Sequence, residues 1–386
     1  MWVIPLHPYV LNFFLFLFVE MLEFLMDLRS TQRSILTSIE GFFFNQNKKI
    51  RENIALTTYA ILRCEKVNTA SVARAMGEVN ECDFKANDMR LYRLLGSKNF
   101  QIDDKMWRGH INLLFNMLYE STSLKKSNEK SEIVLSVDFT SDRDDFLILT
   151  ASILHQGQSI PIYFSMRRYP KKTGMIDQKK MESSFFRALK HLLPKEHTYI
   201  VLADRGFGNE RTLKLLESLG FQYVVRLNEN LNIDDQGKRF NIKDLMHKNY
   251  RLHNVLVCSW NHRLSIVKRT KSEKKWILAT NISGKNPGQL YQKRFSIEKM
   301  FKNVKSGGFD LEKLKIEKYD RFKKMLFIAC IAYAIMIFSA SFINNKVHHL
   351  KKNFSLHLNL LSAFSHSLND LCNDSPTPFS GLSSSD

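Results

Sequence analysis

Five apolar runs between residues 132 and 227 constrain the fold of this chain more than any other feature of its sequence. The runs 132–138, 145–152 and 160–166 have the length and composition of β-strands, and the turn at Gly157 indicates a hairpin between the second and the third. Three consecutive strands joined by short turns predict an antiparallel start to a sheet.

Helices and strands alternate after this start. A helix is predicted over 181–193, a strand over 198–203, a second helix over 209–219 and a fifth strand over 221–227. The order βββαβαβ predicts an α/β fold and resembles the ribonuclease H-like fold, in which one more helix follows. Turn clusters and alternating stretches indicate an inserted β-rich subdomain at about 228–275.

A helix over 287–306 supplies the missing element. Asn286 suits the N-cap, Pro287 suits the first helical position, and the glycine pair that ends at Gly308 suits the end of a helix. An apolar stripe is predicted along it, made of Leu290, Ile297, Phe301 and Val304.

A polar row lies beside that stripe and consists of Tyr291, Arg294, Glu298 and Lys305. At about 100° per residue these four positions fall within an arc of about 60° on one helix face. Taken alone, Glu298 is an ordinary exposed charge paired with Arg294 or Lys302, worth about 0.2–0.5 kcal/mol. The spacing Tyr-x2-Arg-x3-Glu-x6-Lys, however, resembles the third catalytic motif of the DDE transposases of bacterial insertion-sequence family four. Four residue types at four set spacings make this a specific match.

Two aspartates end predicted strands and complete a set of acids with Glu298. Asp138 follows the first strand and Asp204 follows the fourth, where each alone would be an ordinary turn residue. The order of the elements brings all three carboxylates to one edge of the sheet, where they repel each other unless a cation lies between them. Oxygen ligands of this kind predict Mg2+ or Mn2+, and two such ions about 3.5–4 Å apart activate a water or a 3′-hydroxyl and stabilise the leaving oxygen.

The resemblance to these transposases extends over about residues 30–345 and is strongest at 137–141 (VDFTS), 203–207 (ADRGF) and 291–305. It implies metal-dependent cleavage of DNA at the ends of the element, followed by strand transfer into target DNA. The alternatives are a catalytically inactive DNA-binding remnant of such a protein and a related nuclease of the same fold that cuts DNA without joining it.

The same resemblance assigns roles to single residues. It implies that Asp138, Asp204 and Glu298 are the catalytic, metal-binding triad, that Arg294 and Lys305 hold phosphates of the transposon end, and that Tyr291 positions the DNA backbone. Some relatives stack a flipped base on a tryptophan of the β insertion, which makes Trp260 or Trp276 a candidate, although a strand tryptophan facing the core is the simpler interpretation. Arg226 is a further candidate for DNA contact because of its position near the end of the fifth strand.

Residues 27–120 are predicted to be an all-helical DNA-binding domain. Helices are expected near 31–44, 50–63, 69–78, 87–96 and 103–120, and the polar stretch 121–130 is expected to be the linker. A basic surface is predicted from Lys85, Arg90, Arg93 and Lys98, which is compatible with a helix-turn-helix on DNA and equally with a helical bundle that has a solvated charged face.

Two apolar segments permit a membrane alternative. Residues 1–26 are interpreted either as an apolar helix that packs on the protein or as an upstream mis-start, with Met21 or Met26 as the true start. Residues 325–343 have the length of a membrane span, but in the resembled family a helix of this kind packs behind the sheet, which favours a core helix. Residues 132–345 would then be the catalytic domain, and 346–386 a polar, partly disordered tail.

The charge of the chain agrees with a polyanionic partner. There are 57 lysines and arginines against 38 acids, for a net charge of +19. We therefore expect double-stranded DNA as partner, both terminal inverted repeats and target DNA, bound by a homodimer in a synaptic complex and without a membrane. Five scattered cysteines without metal-site spacing predict reduced thiols and a cytoplasmic location, at the nucleoid when DNA is bound.

Overall fold

A computed structural model describes the chain over 36–121 without residue 38, and then over 131–142, 146–168, 178–228, 232–235, 238–241, 251–257, 260–268, 275–306 and 308–350. The chain divides into two compact units, 1–338 and 339–386. The predicted N-terminal extension, most of the predicted linker and the predicted tail beyond residue 350 lie outside the described residues.

The regular elements described within residues 36–121 are helices. After helical residues within 36–42 come α1 (Lys48–Cys64), α2 (Thr69–Asn80), α3 (Phe84–Gly96) and α4 (Asp104–Ser121). The first three begin at Asn47, Asn68 and Asp83, whose side chains accept hydrogen bonds from the first-turn backbone N–H groups. The DNA-binding role of this helical part and its boundary with the rest of the chain stay predictions.

Ten strands form one sheet. Their order across the sheet is β3-β2-β1-β4-β5-β10-β9-β8-β6-β7. The first half consists of β1 (Glu132–Asp142), β2 (Phe146–His155), β3 (Gln158–Arg168), β4 (Thr198–Ala203) and β5 (Gln222–Arg226). Strands β1, β4 and β5 are parallel to each other, whereas β1, β2 and β3 are antiparallel neighbours.

Two helices connect the parallel strands. They are α5 (Gln178–Leu192), between β3 and β4, and α6 (Glu210–Ser218), between β4 and β5. Both bury a row of apolar side chains, with Phe185 and Leu216 among the fully covered ones. The predicted order βββαβαβ is therefore confirmed, and the mixed α/β sheet fits the ribonuclease H-like fold.

The β-rich region continues this same sheet. It comprises β6 (Asn232–Asp235), β7 (Lys238–Asn241), β8 (Arg251–Val257), β9 (Trp260–Lys268) and β10 (Lys275–Thr280). Strand β10 pairs antiparallel with β5 on one side and with β9 on the other. The insertion thus shares backbone hydrogen bonds with the part of the sheet that carries the two aspartates.

The predicted final helix is broken in its middle. It begins as α7 (Pro287–Gln292), passes through one 3-10 turn (Lys293–Phe295) and continues as α8 (Ser296–Lys305). The prediction of a single continuous helix over 287–306 was therefore wrong. Leu290 and Ile297 are buried as predicted, while Tyr291 and Arg294 are also buried, so the burial extends beyond the apolar stripe.

A long apolar helix, α9 (Tyr319–Leu350), closes the structure. Its residues Tyr319–Ala340 are long and apolar enough to cross a membrane, yet most of that stretch is buried inside the protein. Phe327 meets Phe43, Trp107 and His110 edge-to-face. These contacts agree with the prediction of a core helix over 325–343.

Candidate active site

The register of the sheet places the two aspartates side by side. Strand β1 pairs in parallel with β4, and Val137 lies opposite Ala203. Asp138 follows Val137 and Asp204 follows Ala203, so the two aspartates lie at the same level of the sheet. We predicted a strand end at Asp138, which was wrong, because β1 runs on to Asp142 through its pairing with β2. Only the pairing with β4 ends at this level.

Two aromatic rings join the segments that carry the aspartates. Phe139 follows Asp138 directly, and Phe207 lies three residues after Asp204. The two rings stack with centroids 5.4 Å apart and planes 9° from parallel. The Asp204 side chain accepts a hydrogen bond from the backbone N–H of Gly206 at 2.9 Å and so caps the 3-10 turn Arg205–Phe207. Sequence reasoning missed this pair of rings, although both lie within the segments that it singled out.

Arg294 connects two of the three carboxylates. Its Nη1 donates to Oδ2 of Asp138 at 2.8 Å, and its Nη2 donates to Oε1 of Glu298 at 2.6 Å. The Arg294 side chain is only 6% exposed, whereas the Glu298 side chain is 53% exposed. Because Asp138 lies on β1 and Glu298 lies on α8, this guanidinium ties the helix to the sheet.

Aromatic rings surround the same guanidinium. It lies over the rings of Phe295 and Tyr291, 4.7 Å and 5.6 Å from their centroids. Tyr291 is itself only 1% exposed and meets Trp276 edge-to-face at 5.0 Å. Trp276 is therefore packed in the protein, as the simpler interpretation of that residue stated. The sequence motif contained Phe295, but nothing in its spacing indicated that the ring would lie under Arg294.

The remaining candidate residues are Lys305, Arg226 and Trp260. Lys305 donates from Nζ to the backbone carbonyl of Ser141 at 2.6 Å, so it joins the end of α8 to the end of β1. Arg226 is the last residue of β5. Burial raises the pKa of Tyr291, and the positive charges of Arg294 and Arg226 oppose that rise. Trp260 begins β9, and its side chain lies outside what the structure describes.

An electrostatic coupling links the three acids. Burial raises the pKa of Asp138 from its ordinary value to about 6, Arg294 opposes that rise, and the negative charges of Asp204 and Glu298 add to it. The pKa of Asp138 therefore depends on the charges of both other carboxylates. The same arrangement makes Arg294 the cation that compensates a locally negative site.

This raised pKa predicts a dependence of stability on pH. Because the folded state holds the Asp138 proton more tightly than the unfolded state, the free energy of unfolding falls as the pH rises from about 4 to about 6. The slope from this residue is at most about 1.36 kcal/mol per pH unit. Urea unfolding of the wild type and of Asp138→Asn across this range measures it, and we expect the variant to gain stability relative to the wild type as the pH rises. A difference between the two proteins that does not change with pH would contradict the assignment.

The donor atoms fit a divalent metal ion in their chemistry. Carboxylate oxygens are the ligands that Mg2+ and Mn2+ prefer. Among the described residues, however, no group of three His, Cys, Asp or Glu side chains is placed closely enough to hold an ion. Between Asp138 and Glu298 lies the guanidinium of Arg294, which forms an ion pair with each of them.

A shallow surface cleft lies at the start of α6. Its volume is about 510 Å3, and it is lined by Lys179, Asn209, Glu210, Arg211 and Lys214. Asn209 follows Asp204 by five residues and caps α6 by accepting from the backbone N–H of Thr212. Three cations against one acid give this cleft a positive balance.

Comparison with known proteins finds a family for part of the chain. Residues 174–335 match the family of the transposase DDE domain. This match supports a DDE transposase, a class of enzyme that cleaves and joins DNA strands.

Two solved structures show weaker likenesses. The piggyBac transposase synaptic complex with hairpin DNA is 11% identical, covers 98% of this chain and 87% of that chain, and has a TM-score of 0.41. Endonuclease V of Ciona intestinalis, bound to DNA that contains an inosine, is 12% identical, covers 56% of this chain and 98% of that chain, and has a TM-score of 0.24. No curated protein matches the chain.

Proposed function

We propose that this protein is a DDE transposase of the type found in bacterial insertion-sequence family four. It cuts DNA strands at the ends of an insertion sequence and transfers them into target DNA. The observation that carries the proposal is the register of β1 and β4, which sets Asp138 beside Asp204, together with the guanidinium that ties Glu298 to Asp138. This register and this guanidinium link three acids that are distant in sequence.

Each acid has a role in this proposal. Asp138, Asp204 and Glu298 would hold Mg2+ or Mn2+, and two ions of this kind supply an activated water or 3′-hydroxyl and stabilise the leaving oxygen. Asp138 lies on β1, Asp204 directly follows β4 and Glu298 lies on α8, so their relative positions depend on the packing of α8 against the sheet. The stacked rings of Phe139 and Phe207 would help to hold the two aspartates in register.

Cations around the acids would bind the DNA backbone. Arg294 and Lys305 would hold phosphates of the transposon end, Arg226 would add a contact from β5, and Trp260 would stack on a flipped base. Tyr291 would position the backbone indirectly, since its ring is buried beneath Arg294. The positive cleft at Lys179 and Arg211 would extend the same path along a strand of DNA.

The helical part would recognise the ends of the element. Helices α2 and α3 are joined by a three-residue turn in which Glu81 has a positive φ of 58°. The buried Asn87 of α3 exchanges hydrogen bonds with Asn80 of α2, which locks the two helices together. Tyr92 and Met89 are exposed on α3, which also carries Lys85 and Arg93, and such a mixture of cations and exposed apolar side chains would suit a nucleic acid.

The assembly and location follow from the same chemistry. Joining two transposon ends requires two active sites, so we propose a homodimer in a synaptic complex with terminal inverted repeats and target DNA. A chain with net charge +19 would work in the cytoplasm, at the nucleoid when it is bound to DNA. The alternative functions are an inactive DNA-binding remnant and a nuclease that never joins strands.

Strand cleavage and joining test the proposed function directly. Duplexes that carry the flanking inverted repeats are incubated with the protein in Mg2+ or in EDTA, and the wild type is compared with Glu298→Ala. We expect nicking and joining that need the metal and are lost in the variant. Binding without cleavage by the wild type would favour the inactive remnant, cleavage without joining would favour the nuclease, and cleavage that survives in Glu298→Ala would refute the role of Glu298.

A further inference from the structure

The position of Arg294 conflicts with a role as a simple phosphate ligand in the free protein. Two of its nitrogens are already engaged, by Asp138 at 2.8 Å and by Glu298 at 2.6 Å. The third nitrogen, Nε, is buried and has no hydrogen-bond partner among the described residues. The guanidinium is therefore committed to the acids, although one of its donors is left unsatisfied.

The same position conflicts with metal binding by these acids. Asp138 Oδ1 accepts from the backbone N–H of Phe139 at 2.8 Å, and Oδ2 accepts from Arg294. A cation that bridged Oδ2 of Asp138 and Oε1 of Glu298 would have to lie where the guanidinium lies. Since two positive groups cannot share that position, Arg294 and a divalent ion compete for it.

The geometry shows how the competition can be resolved. The Glu298 side of the ion pair is open to solvent, so one of the two bonds of Arg294 is accessible to an incoming anion. A guanidinium is a planar fork that binds a phosphate in the same bidentate way as a carboxylate. A DNA phosphate at the mouth of the site would thus offer Arg294 a partner equivalent to Glu298.

We propose that Arg294 is the resident counter-cation of the DNA-free site and that it exchanges the carboxylates for a DNA phosphate, so that DNA and divalent metal bind cooperatively. This inference rests on the proposed function and adds its regulation. In the free protein the guanidinium keeps the acids neutralised and the metal affinity low. Metal then binds tightly only where DNA is present, which restricts cutting to a synaptic site.

Thermodynamic linkage makes the proposal measurable without catalysis. If DNA strengthens metal binding by some factor, metal strengthens DNA binding by the same factor, and couplings of this kind are about 5-fold to 150-fold. Removal of the guanidinium should abolish the coupling by leaving the acids free for the ion. The free Arg294→Gln protein should therefore bind metal more tightly than the free wild type, which is the opposite of what loss of a simple supporting residue would cause.

The experiment measures Mn2+ binding to the full chain by electron paramagnetic resonance at pH 8. Wild type, Arg294→Gln and Arg63→Gln are each titrated alone and with a duplex carrying the flanking inverted repeat. We expect Arg294→Gln without DNA to bind Mn2+ about tenfold more tightly than the wild type, and DNA to tighten Mn2+ binding about tenfold in the wild type but not in Arg294→Gln. Arg63→Gln is the matched control, because Arg63 also pairs with a carboxylate, that of Glu78 at 3.2 Å, outside the candidate site, so its Mn2+ affinity without DNA should equal that of the wild type.

Two failures can be told apart by adding Glu298→Gln. If Glu298→Gln weakens Mn2+ binding but DNA does not change the Mn2+ affinity of the wild type, the metal site stands and the exchange of Arg294 is refuted. If no protein binds Mn2+ in any condition, the metal site of the proposed function fails and the exchange fails with it. Should Arg294→Gln not fold, the comparison of wild type with and without DNA still decides, and Arg294→Lys is expected to give an intermediate coupling because an ammonium cannot bridge two carboxylates as a fork does.

Discussion

Replacing Asp204 with asparagine is expected to reduce metal-dependent strand cleavage by about a thousandfold or more, while the fold and DNA binding persist. Asparagine retains a side-chain oxygen, so it can still accept from the N–H of Gly206 and cap the 3-10 turn that follows β4. What it loses is the negative charge at the level of Asp138. The variant therefore tests the loss of the negative charge while the capping hydrogen bond is retained. Cleavage of an end duplex, thermal unfolding and DNA affinity are measured on the same preparation.

The matched control for this variant is Asp103→Asn. Asp103 accepts from the backbone N–H of Met106 at 3.0 Å, so it is an exposed helix cap with the same local role and the same change of charge. Its cleavage rate should equal that of the wild type. Equal cleavage by Asp204→Asn and Asp103→Asn would remove Asp204 from the active site and leave the alignment of β1 with β4 without a catalytic meaning.

Much of the fold could be predicted because its signals are local. The strand over 198–203 has the predicted bounds, since a short apolar run between polar residues leaves little choice of ends. The end of β1 was missed because it depends on pairing with β2, a contact that the sequence of β1 alone does not contain. The 3-10 turn at Lys293–Phe295 was missed for a similar reason, as every residue there has helical backbone angles and only the hydrogen-bond pattern changes.

The candidate site was predictable in its members and not in its arrangement. Helical spacing indicated that Arg294 and Glu298 would lie one turn apart, and their ion pair agrees with that simple expectation. Spacing could not indicate that Arg294 would also reach Asp138 on β1, because that contact is made across 156 positions of the chain. Nor could it indicate that Tyr291 would be buried against Trp276, since burial depends on what the sheet presents to the helix.

The apolar stretch of α9 presented the sharpest ambiguity, because a membrane span and a buried core helix have the same composition. Small residues such as Ala329 and Ala334 allow close packing in either setting. In the structure, the contacts of α9 favour the buried core helix, because aromatic rings of the helical part, Phe43 and Trp107, pack against Phe327. One core thus contains side chains from the N-terminal helices, the sheet and α9.

Phe327→Ala is therefore expected to lower the free energy of unfolding by about 3–5 kcal/mol. The Phe327 ring is fully buried. Its centroid lies 5.0 Å from the ring centroid of Trp107, 5.7 Å from that of His110 and 6.1 Å from that of Phe43. Removal of the ring therefore leaves a cavity where the helical part joins α9. Such a loss is a large part of the total stability of a typical domain, about 5–15 kcal/mol. The protein should still fold in the cold but should unfold at a clearly lower urea concentration.

Phe44→Ala provides the matched control, because Phe44 is 68% exposed and the chemical change is the same. Its stability should lie within about 0.5 kcal/mol of the wild type. Urea unfolding of the three proteins in detergent-free buffer compares them directly. A membrane-spanning α9 makes the opposite prediction, in which the wild type needs detergent and Phe327→Ala has little effect. Equal midpoints for Phe327→Ala and Phe44→Ala would thus refute the core helix, whereas a large loss at Phe327 alone would show that α9 gains its stability from protein and not from lipid.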